Sequence, residues 1–248
     1  MLKIENFEVM GWEAAIRGMR NPKNSWEKSD SYPCTILNEI TEENIKYRCA
    51  GCKNEFVGRP NCMVIGPNDY DLMMRLRNAG TDHRKFMRMI TVYLDITAPL
   101  YWWKEFSTYK VGTVANSCST MHKIAAKEFT LDDFSCEHLY QETYDLFRLT
   151  VDHLNKVRDI YLHGGVLRVG EAPAWFEPKD KEIWWQMIQL LPSSYNQKRT
   201  VMLNYEVLAN IYKSRKDHKL DEWHTFCDWI KSLPYSELII GQSIEEKD

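Results

Sequence analysis

The stretch Met89–Tyr109, MITVYLDITAPLYWWKEFSTY, decides the fold class. Its first part, Met89–Ile96, is rich in β-branched residues and reads as a buried strand. Ala98-Pro99 ends that strand and opens an aromatic helix from Leu100 to about Tyr109, with proline near the first turn, where its missing N–H costs nothing. Two or more strands early in the chain, among many helices, predict an α+β fold.

Upstream, Leu2–Met10 alternates loosely and reads as an opening strand. Gly11 then introduces Trp12, Ala15, Ile16 and Met19 at the spacing of one helix face, and Asn21-Pro22 stops the helix. Residues 28–68 are the least regular part of the chain and read as a cysteine-bearing insertion within one domain spanning residues 1–248. Asp69 to Ala79 reads as a helix ending at Gly80. Gly112–Thr120 is small and polar, as a ligand-binding loop is. Leu139 to Tyr161 reads as one long helix or a broken pair, ending at Gly164-Gly165, with a short strand at Val166–Val169. Further helices are expected at Lys181–Leu191, Val201–Tyr212 and Leu220–Leu233.

Composition bounds the function. The 248 residues are 44% hydrophobic and 27% charged, an ordinary globular balance. A net charge of −3 argues against a general nucleic-acid binder. No apolar run approaches the roughly 18 residues of a membrane span, and no signal peptide opens the chain. Seven irregularly spaced cysteines suit a reducing compartment, so a cytoplasmic location is expected.

Cys49-Ala-Gly-Cys52, with Cys34 and Cys62 nearby, suits a zinc knuckle or a redox pair. A structural zinc site wants two such pairs and the second is absent, so free loop cysteines are the alternative and no metal is assigned. No HExxH, GxGxxG or P-loop is present. Asn204-Tyr205-Glu206-Val207-Leu208-Ala209-Asn210, followed by Arg215, ends a helix on a guanidinium that can face an anion or a pyrimidine carbonyl. Surface asparagines and a cation complementing the helix dipole are the plainer reading of the same residues.

The order of these pieces resembles the flavin-dependent thymidylate synthases, the ThyX family. Val9-Met10-Gly11, the helix ending in Arg20, the helix Asp69–Gly80, the strand Met89–Thr97 and Ala98-Pro99 follow that family's order. The family's signature Arg-His-Arg-x-x-Ser-x-Asn-x-x-Ser-x-Arg is degenerate here. Its Arg-His-Arg falls on Thr108-Tyr109-Lys110, its Asn and second Ser on Asn116 and Ser119 after one extra residue, and its last Arg on Met121. Leu191-Pro192, Asn204, Asn210 and Arg215 keep the family's C-terminal spacing, whereas Glu206 stands where the family has arginine and Glu105 where it has glutamine.

The resemblance implies a mixed α+β fold with a central antiparallel sheet and many helices, assembled as a homotetramer with FAD, a dUMP-like nucleotide, methylenetetrahydrofolate and NADPH bound at subunit junctions. It implies Arg215 as the catalytic, pyrimidine-activating residue, with Lys110, Asn204 and Asn210 toward FAD. Asn116, Ser119 and Arg215 are implied as contacts to the nucleotide. The activity it implies is reductive methylation of the pyrimidine. A non-catalytic nucleotide-binding protein for storage, sensing or sequestration is the alternative, since three signature basic positions have changed. Neither reading calls for a nucleic-acid or membrane partner.

Overall fold

The computed structural model describes residues 1–33 and 63–241. In chain order the first elements are β1 (Lys3–Met10), α1 (Trp12–Arg20), β2 (Tyr32–Pro33), β3 (Met63–Val64), α2 (Pro67–Asn78), β4 (Thr91–Pro99), α3 (Leu100–Phe106) and β5 (Val114–Ser117). They continue as α4 (Thr120–Lys123), α5 (Gln141–His163), β6 (Gly165–Val169), β7 (Ala172–Phe176), α6 (Lys181–Leu190), β8 (Asn196–Asn204), α7 (Tyr205–Arg215), α8 (Asp221–Lys231) and α9 (Glu237–Ile240). One four-stranded sheet has the order β1-β4-β8-β5, and β2-β3 and β6-β7 form antiparallel pairs of their own. The mixture of sheet and helix is the α+β class expected from sequence.

The chain divides into two compact units, one of Met1–Lys3, Ile96–Thr108 and Asn116–Arg199, the other of Ile4–Asp95, Tyr109–Ala115 and Thr200–Asp248. In the first, α5 and α6 share a core of Val151, Leu154, Val157, Ile160, Ile183 and Met187, closed by Phe129 and Phe134. Trp102, Trp103 and Phe106 of α3 are buried together, with Trp102 stacked on Phe106 at 5.0 Å. That helix stops at Phe106, earlier than the expected Tyr109. Ser107 Oγ donates to the Trp103 carbonyl and Thr108 Oγ1 to that of Glu105, so side chains satisfy the last turn's carbonyls. The strand expected at Val166–Val169 is β6, and it pairs with β7, which the sequence reading missed.

In the second unit the face Trp12, Ala15, Ile16 and Met19 of α1 is buried as its spacing predicts. Gly11 has φ +92, and a Cβ there would lie 2.1 Å from the Met89 carbonyl oxygen, so a residue without a side chain is what lets β1 turn directly into α1. Trp12 meets Tyr205 edge to face at 5.4 Å, and the buried Tyr205 hydroxyl donates to the Pro234 carbonyl at 2.6 Å. Val201–Tyr212 is not a helix throughout. Gln197, Val201 and Leu203 are buried on alternate positions of β8, and the helix begins at Tyr205. Likewise Gly112–Thr120 is not all loop, since it contains β5 and opens α4.

Arg20, 4% exposed, and Asp69, fully buried, pair at 2.6 Å. Arg20 also donates to the carbonyls of Ser25 and Lys28, while Asp69 accepts from the hydroxyls of Ser29 and Ser31 and the N–H groups of Asp30 and Ser31. The Asp30 carboxylate in turn accepts from the N–H groups of Asn68 and Asp69 in the first turn of α2. These bonds tie α1, the 25–31 loop and α2 into one block. The excursion is closed at its base by β2 and β3, with Tyr32 opposite Val64 and Pro33 opposite Met63.

Cys34, Cys49, Cys52 and Cys62 lie outside the described residues. Among the described residues no cluster of His, Cys, Asp and Glu could hold a metal, and no helix is long and apolar enough to cross a membrane.

Burial opposes ionisation of Asp69, but hydrogen bonds from Ser31, Ser29 and Arg20 outweigh it and hold the carboxyl below its ordinary range. A carboxyl depressed in the folded state contributes stability that is complete above its unfolded pKa of about 4 and is lost as pH falls below it. Asp69→Asn leaves Arg20 buried without a counter-charge and is expected to cost about 3–5 kcal/mol. A chemical-denaturation midpoint checks the cost. The deficit relative to wild type should shrink as the titration is repeated from pH 7 toward pH 3.

Candidate functional site

The helix α7 positions most of the residues that the sequence singles out. Asn204 is its N-cap and its side-chain oxygen accepts from the Val207 N–H at 3.0 Å. Capping satisfies one of the helix's orphan donors and makes the start of α7 rigid. Gly112, with φ +78, passes close over this cap, and a Cβ there would lie 2.9 Å from Asn204 Nδ2. The turn just before it carries Lys110, which is exposed. The segment from Tyr109 to Gly112 thus runs alongside α7, with Tyr109 on Arg215 at the helix's last residue and Gly112 over the Asn204 cap.

Glu206, in the first turn of α7, is 7% exposed. Its charge reversal has a local answer. Arg84 Nε approaches one carboxylate oxygen at 3.4 Å, and Arg88 Nε donates to the other. The hydrogen bond with Glu206 raises the Arg88 pKa, so that guanidinium is charged at every physiological pH. Arg84 also donates from Nη2 to Asn210 Oδ1 at 3.2 Å, one turn further along α7. The two arginines lie four residues apart in a short 3-10 segment, Arg84–Arg88, whose Phe86 and Met87 are buried. Asp82 also acts on Arg88 through its charge, so the two arginines are answered by two carboxylates, Glu206 and Asp82.

Arg215 ends α7, half-buried. Its Nε donates to the Tyr109 hydroxyl at 2.9 Å, and its guanidinium carbon stands 4.9 Å from the centre of the Trp223 ring and 5.7 Å from that of Tyr109. Trp223 is fully buried at the start of α8, and His218 meets its edge at 6.3 Å. Aromatic faces on a guanidinium attract it and fix its plane. Such a group can hold a carbonyl or an anion in a set direction.

In the other unit, Asn116 is exposed on β5, and Ser119 is the exposed N-cap of α4, its Oγ accepting from the His122 N–H at 3.1 Å. Met121 is 51% exposed, and its carbonyl accepts from Trp184 Nε1. The structure thus brings Lys110, Asn204, Asn210 and Arg215 together in one unit and places Asn116 and Ser119 in the other.

Sequence reasoning missed Arg84 and Arg88, although two arginines four apart beside Thr81-Asp82-His83 were a usable sign. It also treated Tyr109 as the loss of a histidine, whereas Tyr109 is the side chain that orients Arg215.

No family model matches this chain, and no curated protein matches it. Solved structures do. Thymidylate Synthase X (ThyX) from Helicobacter pylori with FAD and dUMP superposes with a TM-score of 0.60 at 12% identity, covering 97% of each chain. A second ThyX structure from the same organism, also complexed with FAD and dUMP, gives 0.61 at 13% identity, covering 96% of this chain and 97% of that one. The UMP/dUMP methylase PolB from Streptomyces cacaoi, bound with 5-Br dUMP, gives 0.52 at 8% identity, covering 96% of this chain and 93% of that one. At these identities the likeness is one of fold: this chain has a ThyX-like fold.

Proposed function

We propose that this chain is a divergent flavin-dependent pyrimidine methylase that acts on a dUMP-like nucleotide. The observation that carries the reading is Arg215, clasped by Tyr109 and Trp223 at the end of a capped helix. In this reading the chain is one ThyX-like domain, assembled as a homotetramer with its pockets at subunit junctions. The structural likeness to ThyX, solved with FAD and dUMP, and to PolB, solved with 5-Br dUMP, supports the ligand class.

The residues fit an anionic flavin cofactor by charge. Arg84 and Arg88 beside the first turns of α7, and Lys110 in the same unit, are the cations that would meet the diphosphate, set against the carboxylates of Glu206 and Asp82. Asn204 and Asn210 would orient the flavin from the same helix, although Asn204 Oδ1 is committed to the cap and Asn210 Oδ1 to Arg84. FAD supplies hydride chemistry when bound, drawing on NADPH, with methylenetetrahydrofolate as the carbon source. Arg215 would hold a uracil carbonyl oxygen and stabilise the negative charge that develops on it as the ring is attacked. Tyr109 would keep the guanidinium in the plane of that carbonyl, and Trp223 would keep water from its lower face. Asn116 and Ser119 would contact the nucleotide.

A second reading is a non-catalytic nucleotide binder. What favours it is Glu206, a buried carboxylate at a position where the family carries arginine, together with Thr108-Tyr109-Lys110 in place of Arg-His-Arg.

Visible absorbance of the purified protein, followed by mass spectrometry of what heat releases, separates the two. A yellow protein that yields FAD and turns over dUMP with NADPH and methylenetetrahydrofolate supports the methylase. A colourless protein that cannot be loaded with FAD, yet releases an unchanged nucleotide, supports the binder.

Arg215→Ala is expected to abolish turnover and leave FAD bound. Tyr109→Phe removes one hydrogen bond to a charged group and should lower kcat about tenfold or more, with FAD content unchanged. Turnover persisting in Arg215→Ala removes that residue from the chemistry. Glu206→Gln leaves Arg84 and Arg88 without their counter-charge and is expected to destabilise the fold by about 1.5–3 kcal/mol, read from a denaturant midpoint. The same variant should bind inorganic pyrophosphate more tightly than wild type, read by calorimetry.

A further inference from the structure

A second guanidinium, in the unit built around α5 and α6, has no role in the chemistry above. Arg199 lies on β8, half-buried, with its guanidinium carbon 4.2 Å from the centre of the Trp103 ring. Trp103 is itself 1% exposed, and its indole N–H donates to the Gln197 carbonyl at 2.9 Å, so the platform beneath Arg199 is fixed. Arg199 Nε donates to Gln197 Oε1 at 2.9 Å. Gln197 is 7% exposed, and its Nε2 donates to the Cys118 carbonyl at 2.9 Å, while the Cys118 N–H donates to the Lys198 carbonyl at 3.0 Å.

The guanidinium is thus held in one plane by a ring below and an amide at one edge. Neither group neutralises it, and among the described residues no carboxylate pairs with it. Burial lowers the Arg199 pKa, the mark of a cation partly removed from water without a counter-charge. Its Nη edge keeps four N–H donors in the planar fork that matches two oxygens of a phosphate or a carboxylate. Gln197 is anchored at Cys118, one residue from Ser119 and two from Asn116, the positions assigned above to the nucleotide.

We propose that Arg199 is the phosphate-binding residue of this chain, taking a phosphate monoester on its Nη edge while Trp103 and Gln197 hold its plane. The nucleotide identity of that ligand rests on the methylase or binder reading, whereas anion capture by Arg199 does not. In this proposal Arg199, on β8, stands in for the guanidinium that the degenerate signature lacks at Met121, on α4.

The test is calorimetric titration of the full chain with UMP, with uridine and with inorganic phosphate. Wild type is expected to bind UMP about 10- to 100-fold more tightly than uridine, the ratio one bidentate charged contact supplies. Arg199→Met keeps an unbranched apolar stem on Trp103 and should bring UMP down to the affinity of uridine, with uridine unaffected. Arg199→Lys, with charge but no fork, should restore part of the ratio. Gln197→Glu sets a carboxylate against Arg199 Nε as an internal competitor and should also weaken UMP selectively. Thermal melts identify any variant that fails to fold, and the two Gln197 and Arg199→Lys variants then stand alone.

If UMP keeps its advantage over uridine in Arg199→Met, the proposal is overturned and the nucleotide reading stands. If UMP fails to bind wild type while inorganic phosphate binds in an Arg199-dependent manner, the nucleotide reading falls and the anion site stands. If neither UMP nor phosphate binds wild type, the proposal is overturned.

Discussion

The ion pair between Arg20 and Asp69 is the constraint around which one of the two units is assembled. Neither group reaches solvent to any useful degree, so each is tolerable there through the other and through the neutral donors and acceptors that surround them. Two hydroxyls and two backbone N–H groups converge on a single oxygen of Asp69, which makes the 25–31 loop part of the core's polar skeleton. Backbone polar groups of a loop must be satisfied somewhere when the loop lies against an apolar interior. Here a charged pair does this for three elements at once, and α1 and α2 take their places as a result.

The helix α7 shows how a short segment combines such rigidity with chemistry. Its start is fixed by Asn204, its first turn carries the carboxylate that gathers two arginines, and its last residue is the clasped Arg215. Apolar residues at Val207, Leu208 and Ile211 bury the remaining face, so the polar side chains inherit the precision of the core.

Much of this was legible in the sequence. The strand at Met89–Ile96, the break at Ala98-Pro99 and the buried face of α1 follow from periodicity and from what proline and glycine forbid. The resemblance to ThyX found in the order of elements agrees with the structural likeness at fold level, where 12% identity would leave little to read. Other features were hidden because they depend on pairing at long range. Glu206 reads as a reversed charge until Arg84, more than a hundred positions earlier, is seen beside it. β7 carries Ala-Pro-Ala, which has poor strand propensity, and gains its strand from the register with β6. The start of α7 was misplaced because Val201 and Leu203 suit either periodicity, and the capping role of Asn204 was the sign that went unused.

The ladder of β2 and β3 has a consequence for the interval it bounds. Residues 33 and 63 are held opposite each other, so the two ends of the interval they bound lie side by side. Closing a flexible loop costs free energy that grows with the logarithm of its length, about 0.6 kcal/mol for each doubling. The ladder therefore fixes the span that the interval has to close, whatever its length.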